Sequence, residues 1–317
     1  MINIFVTYRC NLACAYCFAR ELVHDHPEDM QPRTFERLLA WMKAASVPAA
    51  AFIGGEPTLH PGLGDMIDAT RDAGIDVVLF TNGLFDGKLA SRLAGRVSNF
   101  VVNYNDPAGY TPSQRTRLDA TLSRLSKIGA RITFSKNFSS DCTATGDLLD
   151  AASRYGVRAI RYDISRPSPS AANIFFSFEQ MRGIFSHIIA FVRECEDRGI
   201  RTGLDCCLKW CDLPTEDRQY LQRVSMKLTG ICHPSVDIHP DLSGSYCLPL
   251  YDVRVPDVTA FGDRLRLMAH FSQMVREMRF AEAAEACVTC PDFKRTCQGG
   301  CMALKRLSAE PPLVSAA

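Results

Sequence analysis

No apolar run in these 317 residues approaches the ~18 needed to cross a bilayer. The opening MINIFVTYRCN lacks the charged start, apolar core and small-residue cleavage site of a signal peptide. An excess of one charge is missing too: 36 Lys and Arg face 35 Asp and Glu, a formal net of +1. That balance argues against a nucleic-acid surface or an acidic tail. There are no internal repeats, and no biased run beyond the short tail PPLVSAA. These absences exclude a membrane-spanning helix and leave a cytoplasmic chain as the expectation, with neither nucleic acid nor membrane as partner. With 47% apolar residues, the chain can bury a large core in one large domain or two unequal ones.

Cysteine, by contrast, is abundant. Fourteen are many for a reducing compartment, where disulfides are poor candidates and metal or redox chemistry is the better default. Cys10, Cys14 and Cys17 form C-x3-C-x2-C, nine more lie between residues 206 and 301, and only Cys142 and Cys195 stand apart. Those two read as small buried hydrophobes. The triplet is one ligand short of the four that zinc or an iron–sulfur cluster usually takes. His24 or His26 would complete a zinc site; a deliberately open position is the other reading.

Short apolar runs predict strands at Ile2–Thr7, Ala49–Ile53, Asp76–Phe80, Asn99–Asn103, Arg131–Phe134 and Arg158–Asp163, each rich in Val, Ile or Phe. Amphipathic helices alternate with them. Phe35, Leu38, Leu39 and Met42 fall on one helical face, and Leu63, Met66 and Ile67 begin another that Gly74 can close. Thr111-Pro112-x-Gln114 and Ser177-x-x-Gln180 are capping boxes, and a helix over about Asp147–Tyr155 stops at Gly156. Six strands in alternation with such helices imply an α/β fold of parallel βα units, as a partial (β/α)6 barrel or a doubly wound sheet. In either, the functional loops sit at the carboxyl ends of the strands. Beyond about residue 200 the periodicity fails while Cys, Gly, Pro and Asp rise, so order there is expected from metal. The boundary falls near Gly199, dividing the chain into 1–199 and 200–317.

The triplet follows the first strand, Gly54-Gly55-Glu56-Pro57 ends the second, and Thr81-Asn82-Gly83 ends the third. Here residues 1–200 resemble the radical S-adenosylmethionine (SAM) superfamily, on C-x3-C-x2-C with Tyr16 before its last Cys, followed by GGEP and TNG. The resemblance implies a TIM-like partial (β/α)6 barrel. It also implies that Cys10, Cys14 and Cys17 hold a [4Fe–4S] cluster whose fourth iron is left to SAM. Reductive cleavage of SAM to a 5′-deoxyadenosyl radical, which abstracts a substrate hydrogen, would follow. Gly54, Gly55, Glu56 and Pro57 would receive the methionyl group, with Thr81 and Asn82 beside them. Tyr16 would face the adenine, and Asn103 and Ser135 the ribose side. Asp163 and Arg161, at the sixth strand's end, are the candidate catalytic residues; they either anchor substrate or pair with each other.

The later cysteines are Cys206, Cys207, Cys211, Cys232 and Cys247, then Cys287, Cys290, Cys297 and Cys301 as C-x2-C-x6-C-x3-C. This resembles the SPASM extension of radical SAM enzymes, which carries auxiliary [4Fe–4S] clusters after a hairpin that ICHPSVDIHPDLSGSYC resembles. The resemblance implies one or two clusters. Cys232, Cys247 and Cys301 would share the first with one of Cys206, Cys207 or Cys211. Cys287, Cys290 and Cys297 would hold the second, whose usual downstream ligand is missing. Such enzymes largely crosslink, epimerise or oxidise peptides; the alternative is oxidation or rearrangement of a small-molecule natural-product intermediate. With the first strand starting at Ile2, a peptide would need a separate recognition protein or the C-terminal region. An electron donor such as flavodoxin or ferredoxin is the other expected partner.

Overall fold

The computed structural model describes residues 1–140, 143–281 and 283–309. Cys142 lies outside them. Seven parallel strands form the frame: β1 (Ile2–Thr7), β2 (Ala49–Gly54), β3 (Asp76–Thr81), β4 (Asn99–Asn103), β5 (Ile132–Phe138), β6 (Ala159–Ile164) and β7 (Arg201–Leu204). Between them run α1 (Pro32–Ala44), α2 (Leu63–Asp72), α3 (Gly87–Ala94), α4 (Pro112–Lys127), α5 (Gly146–Tyr155) and α6 (Phe178–Asp197). The strands lie side by side in chain order, β1 to β7, with no reversal. A doubly wound sheet needs such a reversal to put helices on both faces. Right-handed crossovers in unbroken order keep every helix on one face, which curls the sheet into a partial barrel.

Local chemistry accounts for most of these elements. Thr111 and Gln114 close both halves of a capping box on α4, and Ser177 and Gln180 do the same on α6. Gly156, at φ +70°, ends α5 in the left-handed conformation that costs glycine nothing. Phe35, Leu38 and Met42 of α1 are buried against Phe52 of β2, while Leu39 sits at the edge of that core. Cys195 is wholly buried in α6 as a small hydrophobe.

The sheet does not stop at seven strands. A C-terminal strand β8 (Asp237–Ile238) pairs parallel with β1 on its free side, and β9 (Gly244–Ser245) and β10 (Arg254–Val255) continue it antiparallel. The 232–247 run is thus a hairpin set against the barrel's first strand. The region past residue 200 is also more regular than its composition suggests, with α7 (Thr215–Val224) and helices at Arg264–Met274 and Met302–Ala309. Among the described residues no helix is long and apolar enough to cross a membrane.

Candidate cysteine-lined active site

The β1 strand delivers the cysteine loop to the carboxyl end of the sheet, and the β2 loop clamps it there. Gly55 N donates to Thr7 O at 2.9 Å, and Glu56 N to Arg9 O at 2.8 Å. A Cβ on Gly54 would lie 2.2 Å from Thr7 O, and one on Gly55 2.3 Å from Arg9 O. The two glycines are therefore demanded by the approach of the cysteine loop itself. Within that loop Cys17 N donates to Cys14 O at 3.1 Å, and Leu12 N points at Cys10 Sγ at 3.4 Å.

Glu56 is fully buried and ties the loop after β2 to the end of β3. Its Oε1 accepts from Thr58 N, Thr58 Oγ1 (2.7 Å) and Thr81 Oγ1 (2.8 Å), and its Oε2 from Asn82 N at 2.7 Å. Burial pushes its pKa up, while these donors pull it down. Asn82 carries the bracing on to the cysteine loop, donating from Nδ2 to Asn11 Oδ1 at 2.6 Å. Pro57 is buried and opens the turn that presents Thr58.

Cys10, Cys14, Cys17, Tyr16 and Gly55 line one cavity of about 930 Å3. Glu56, Thr81, Asn82, Asn103 and Ser135 support its wall without lining it. Tyr16 OH donates to Asn105 Oδ1 and accepts from Asn103 Nδ2 at 2.8 Å, and Asn105 Nδ2 reaches Cys14 Sγ at 3.5 Å. Ser135 pairs with Asn103 across β4 and β5, and its carbonyl accepts from Tyr104 N. Burial pushes the Cys10 thiol up to about 11 and raises Cys14 and Cys17 as well. Thiols held protonated this way release their protons when a metal takes them. Reading the sequence missed Asn105, Lys136 and Asn137, which line the same cavity.

Arg161 does not pair with Asp163: it bonds Asp205 of the loop after β7 and stacks over Phe80 at 5.0 Å. Asp163 caps its own neighbour's amide, Ile164 N, at 2.8 Å. Neither lines the cysteine cavity. His24 and His26 lie off that cavity too; His26 is stacked on Tyr8 and His239 and bonded through Nε2 to Tyr251 OH at 2.8 Å.

The remaining cysteines fall into two sets. The neighbouring Cys207 thiol holds Cys232 down to about 7, Cys301 raises Cys207 and Cys247, and Cys232 raises Cys301. Cys211, Cys287, Cys290 and Cys297 instead line a second cavity of about 450 Å3. Cys206 faces Asp163, Arg166 and Cys301. Among the described residues no three His, Cys, Asp or Glu side chains converge on a single-ion site; in the two cavities the thiols border open space.

Residues 4–105 match the family described as the Radical SAM superfamily. An S-adenosylmethionine-dependent nucleotide dehydratase of Selenomonas ruminantium is 34% identical over 26% of this chain. The chain spans only 29% of that relative's length. Mycofactocin maturase MftC of Mycolicibacterium smegmatis is 24% identical over 96% of this chain and 79% of its own. Among solved structures, Streptococcus suis SuiB bound to S-adenosylmethionine superposes with a TM-score of 0.69 at 15% identity, covering 98% of this chain and 74% of that one. SuiB has also been solved with the precursor peptide SuiA. At such identity the likeness is one of fold.

Proposed function

Residues 4–105 of this chain belong to the radical SAM superfamily, and from that premise we propose an enzyme that modifies a peptide by radical chemistry. The observation that carries this is the cavity in which three thiols and the bare backbone of Gly55 face one another. Its volume suits a small-molecule cofactor, for which sites run ~300–1,000 Å3. Cys10, Cys14 and Cys17 would hold three irons of a [4Fe–4S] cluster, leaving the fourth for the amino and carboxylate groups of SAM. Once bound and reduced, that pair supplies a 5′-deoxyadenosyl radical able to take a hydrogen atom from an unactivated carbon.

The protein's share is positioning. Gly55 offers backbone where the methionyl group would lie, and the buried Glu56 carboxylate fixes that backbone to β3 through Thr81 and Asn82. Tyr16, oriented by Asn103 and Asn105, forms the wall for the adenine. Lys136, buried in the cavity wall, would bring a cationic side chain to the space the substrate shares with the cofactor. MftC's description as a maturase and the SuiB complex with its precursor peptide support a peptide over a small-molecule substrate. An electron donor of the flavodoxin or ferredoxin kind would supply the reducing electron.

Anaerobically reconstituted protein, reduced with dithionite in the presence of SAM, is expected to release 5′-deoxyadenosine. Replacing Cys10, Cys14 and Cys17 together with Ala should remove about four irons and abolish that product while the auxiliary irons stay. SAM cleavage surviving the triple replacement would overturn the reading.

A further inference from the structure

The second cavity answers which residue completes the site begun by Cys287, Cys290 and Cys297. Cys211 borders the same space as those three. It is 76 residues upstream of Cys287, and the fold brings it back through several fixed contacts. Cys211 sits in a single turn, Trp210–Asp212, whose Trp210 Nε1 donates to Thr296 O at 2.8 Å, one residue before Cys297. Arg218 of α7 lies over the Trp210 ring at 4.6 Å and forks onto Asp292 at 2.6 and 3.1 Å. Gly230 permits the approach: a Cβ there would meet Thr296 O at 2.4 Å and Trp210 Nε1 at 2.7 Å. Gln298 N then closes the joint on Gly230 O at 3.0 Å.

The competing ligands are occupied elsewhere. Cys207 is engaged with Cys232, and Cys206 faces Asp163 and Arg166; neither lines this cavity. Asp292 does line it, but its carboxylate is taken by Arg218 and by Thr296 Oγ1 at 2.8 Å. We propose that Cys211 completes a four-thiolate iron–sulfur site with Cys287, Cys290 and Cys297, so that this auxiliary site is closed. A metal centre with all its positions filled by protein has none to offer a substrate. The inference rests on the reading above that the chain carries iron–sulfur clusters, and it assigns substrate contact away from this centre.

The test uses the full chain carrying the Cys10, Cys14 and Cys17 replacements, so that only auxiliary iron remains. Iron and sulfide content and the EPR spectrum are compared for this parent and for added Cys211→Ala, Cys211→Ser and Cys206→Ala. Cys211→Ala should lose about four irons per chain, or keep them with a signal that shifts when cyanide is added. Cys211→Ser, which keeps an oxygen ligand and guards against misfolding, should hold its iron with altered g-values. Cys206→Ala, outside this cavity, should leave this site's own g-values and cyanide response as in the parent. Cys211 variants that match the parent in iron, g-values and cyanide response would overturn the assignment while leaving the proposed function standing. A parent without iron or sulfide would overturn both.

Discussion

Asn82 and Asn11 are joined side chain to side chain, Nδ2 to Oδ1 at 2.6 Å, across 71 residues of sequence. One belongs to the TNG turn after β3, the other to the cysteine loop after β1. Asn82 Oδ1 is in turn held by Leu84 N at 2.9 Å, so the amide cannot swing away without losing a second bond. The arrangement sets the position of the residue directly after Cys10. Asn11→Ala should cost roughly 1 kcal/mol of stability but loosen the loop more than the fold. Iron retained after desalting should fall in the variant, and hydrogen exchange should rise over residues 8–19 while β2 and β3 stay protected. Unchanged exchange in that loop would contradict the bracing role.

Glu56 tests the same brace from the other side. All four of its hydrogen bonds are accepted, three on Oε1 and one on Oε2. Glu56→Gln must turn an N–H2 toward at least one of these donors, leaving a buried donor unpaired. A loss of about 2–4 kcal/mol is expected, read as a lower urea midpoint with an unchanged slope. Glu56→Asp keeps the charge but is one methylene shorter, and should restore only part of it.

Much of this site was legible because its parts are local. A cysteine spacing, a GGEP and a TNG each sit at a strand end that apolar runs announce, and the strand order does the rest. The capping boxes of α4 and α6 were equally readable, since both halves lie within four residues. What stayed hidden depends on distant register. The partner of Arg161 is Asp205, fixed only when β7 pairs with β6 as Arg161 opposite Gly203. Strand β7 itself is four residues long and begins with Arg201, too short for periodicity to show. Lys136, at 3% exposure, has the composition of a surface residue although it sits in a cavity wall. The division of Cys207 from Cys211 likewise has no signal in spacing, because it follows from how the Trp210 turn docks.

Acid sensitivity should be set by two groups that pull in opposite directions. His239, fully buried between Tyr8 OH at 2.6 Å and Ser245 Oγ at 3.1 Å, is pushed by burial and then by His26 from 6.5 down to about 3, against the pull of Asp241. The unfolded chain then binds the extra proton, so this contribution is full above pH 6.5 and is lost as pH falls toward 3. Buried Asp237 is pushed from 3.8 up to about 6. There the folded chain binds the extra proton, so its contribution is full below 3.8 and is lost as pH rises through 6. Between pH 7 and 5 the histidine should cost about 2 kcal/mol and the aspartate return about 1 kcal/mol. Asp237→Asn should therefore steepen the loss of stability over that interval, and His239→Gln should flatten it or reverse its sign. Urea midpoints at pH 5, 6 and 7 read both; parallel curves for all three proteins would refute the assignment.

Lys305 is the residue on which the C-terminal cysteines' support converges. It is 1% exposed, and four carbonyls surround the three N–H donors of its Nζ: those of Arg279 at 2.6 Å, Ala281 and Gln298 at 3.2 Å, and Met278 at 3.3 Å. Two of those carbonyls belong to the helix Arg276–Phe280, so the ammonium caps its end with the favoured sign of charge. Gln298 lies between Cys297 and Cys301, which couples the cap to both proposed cluster sites. Burying an ammonium is tolerated only with such a full set of acceptors. Lys305→Met keeps the volume and removes the donors, leaving the carbonyls orphaned at a cost of several kcal/mol. Because the damage is confined to the C-terminal region, the barrel should still bind SAM while auxiliary iron falls. A variant that loses SAM binding and auxiliary iron together would mean that the two regions unfold as one unit.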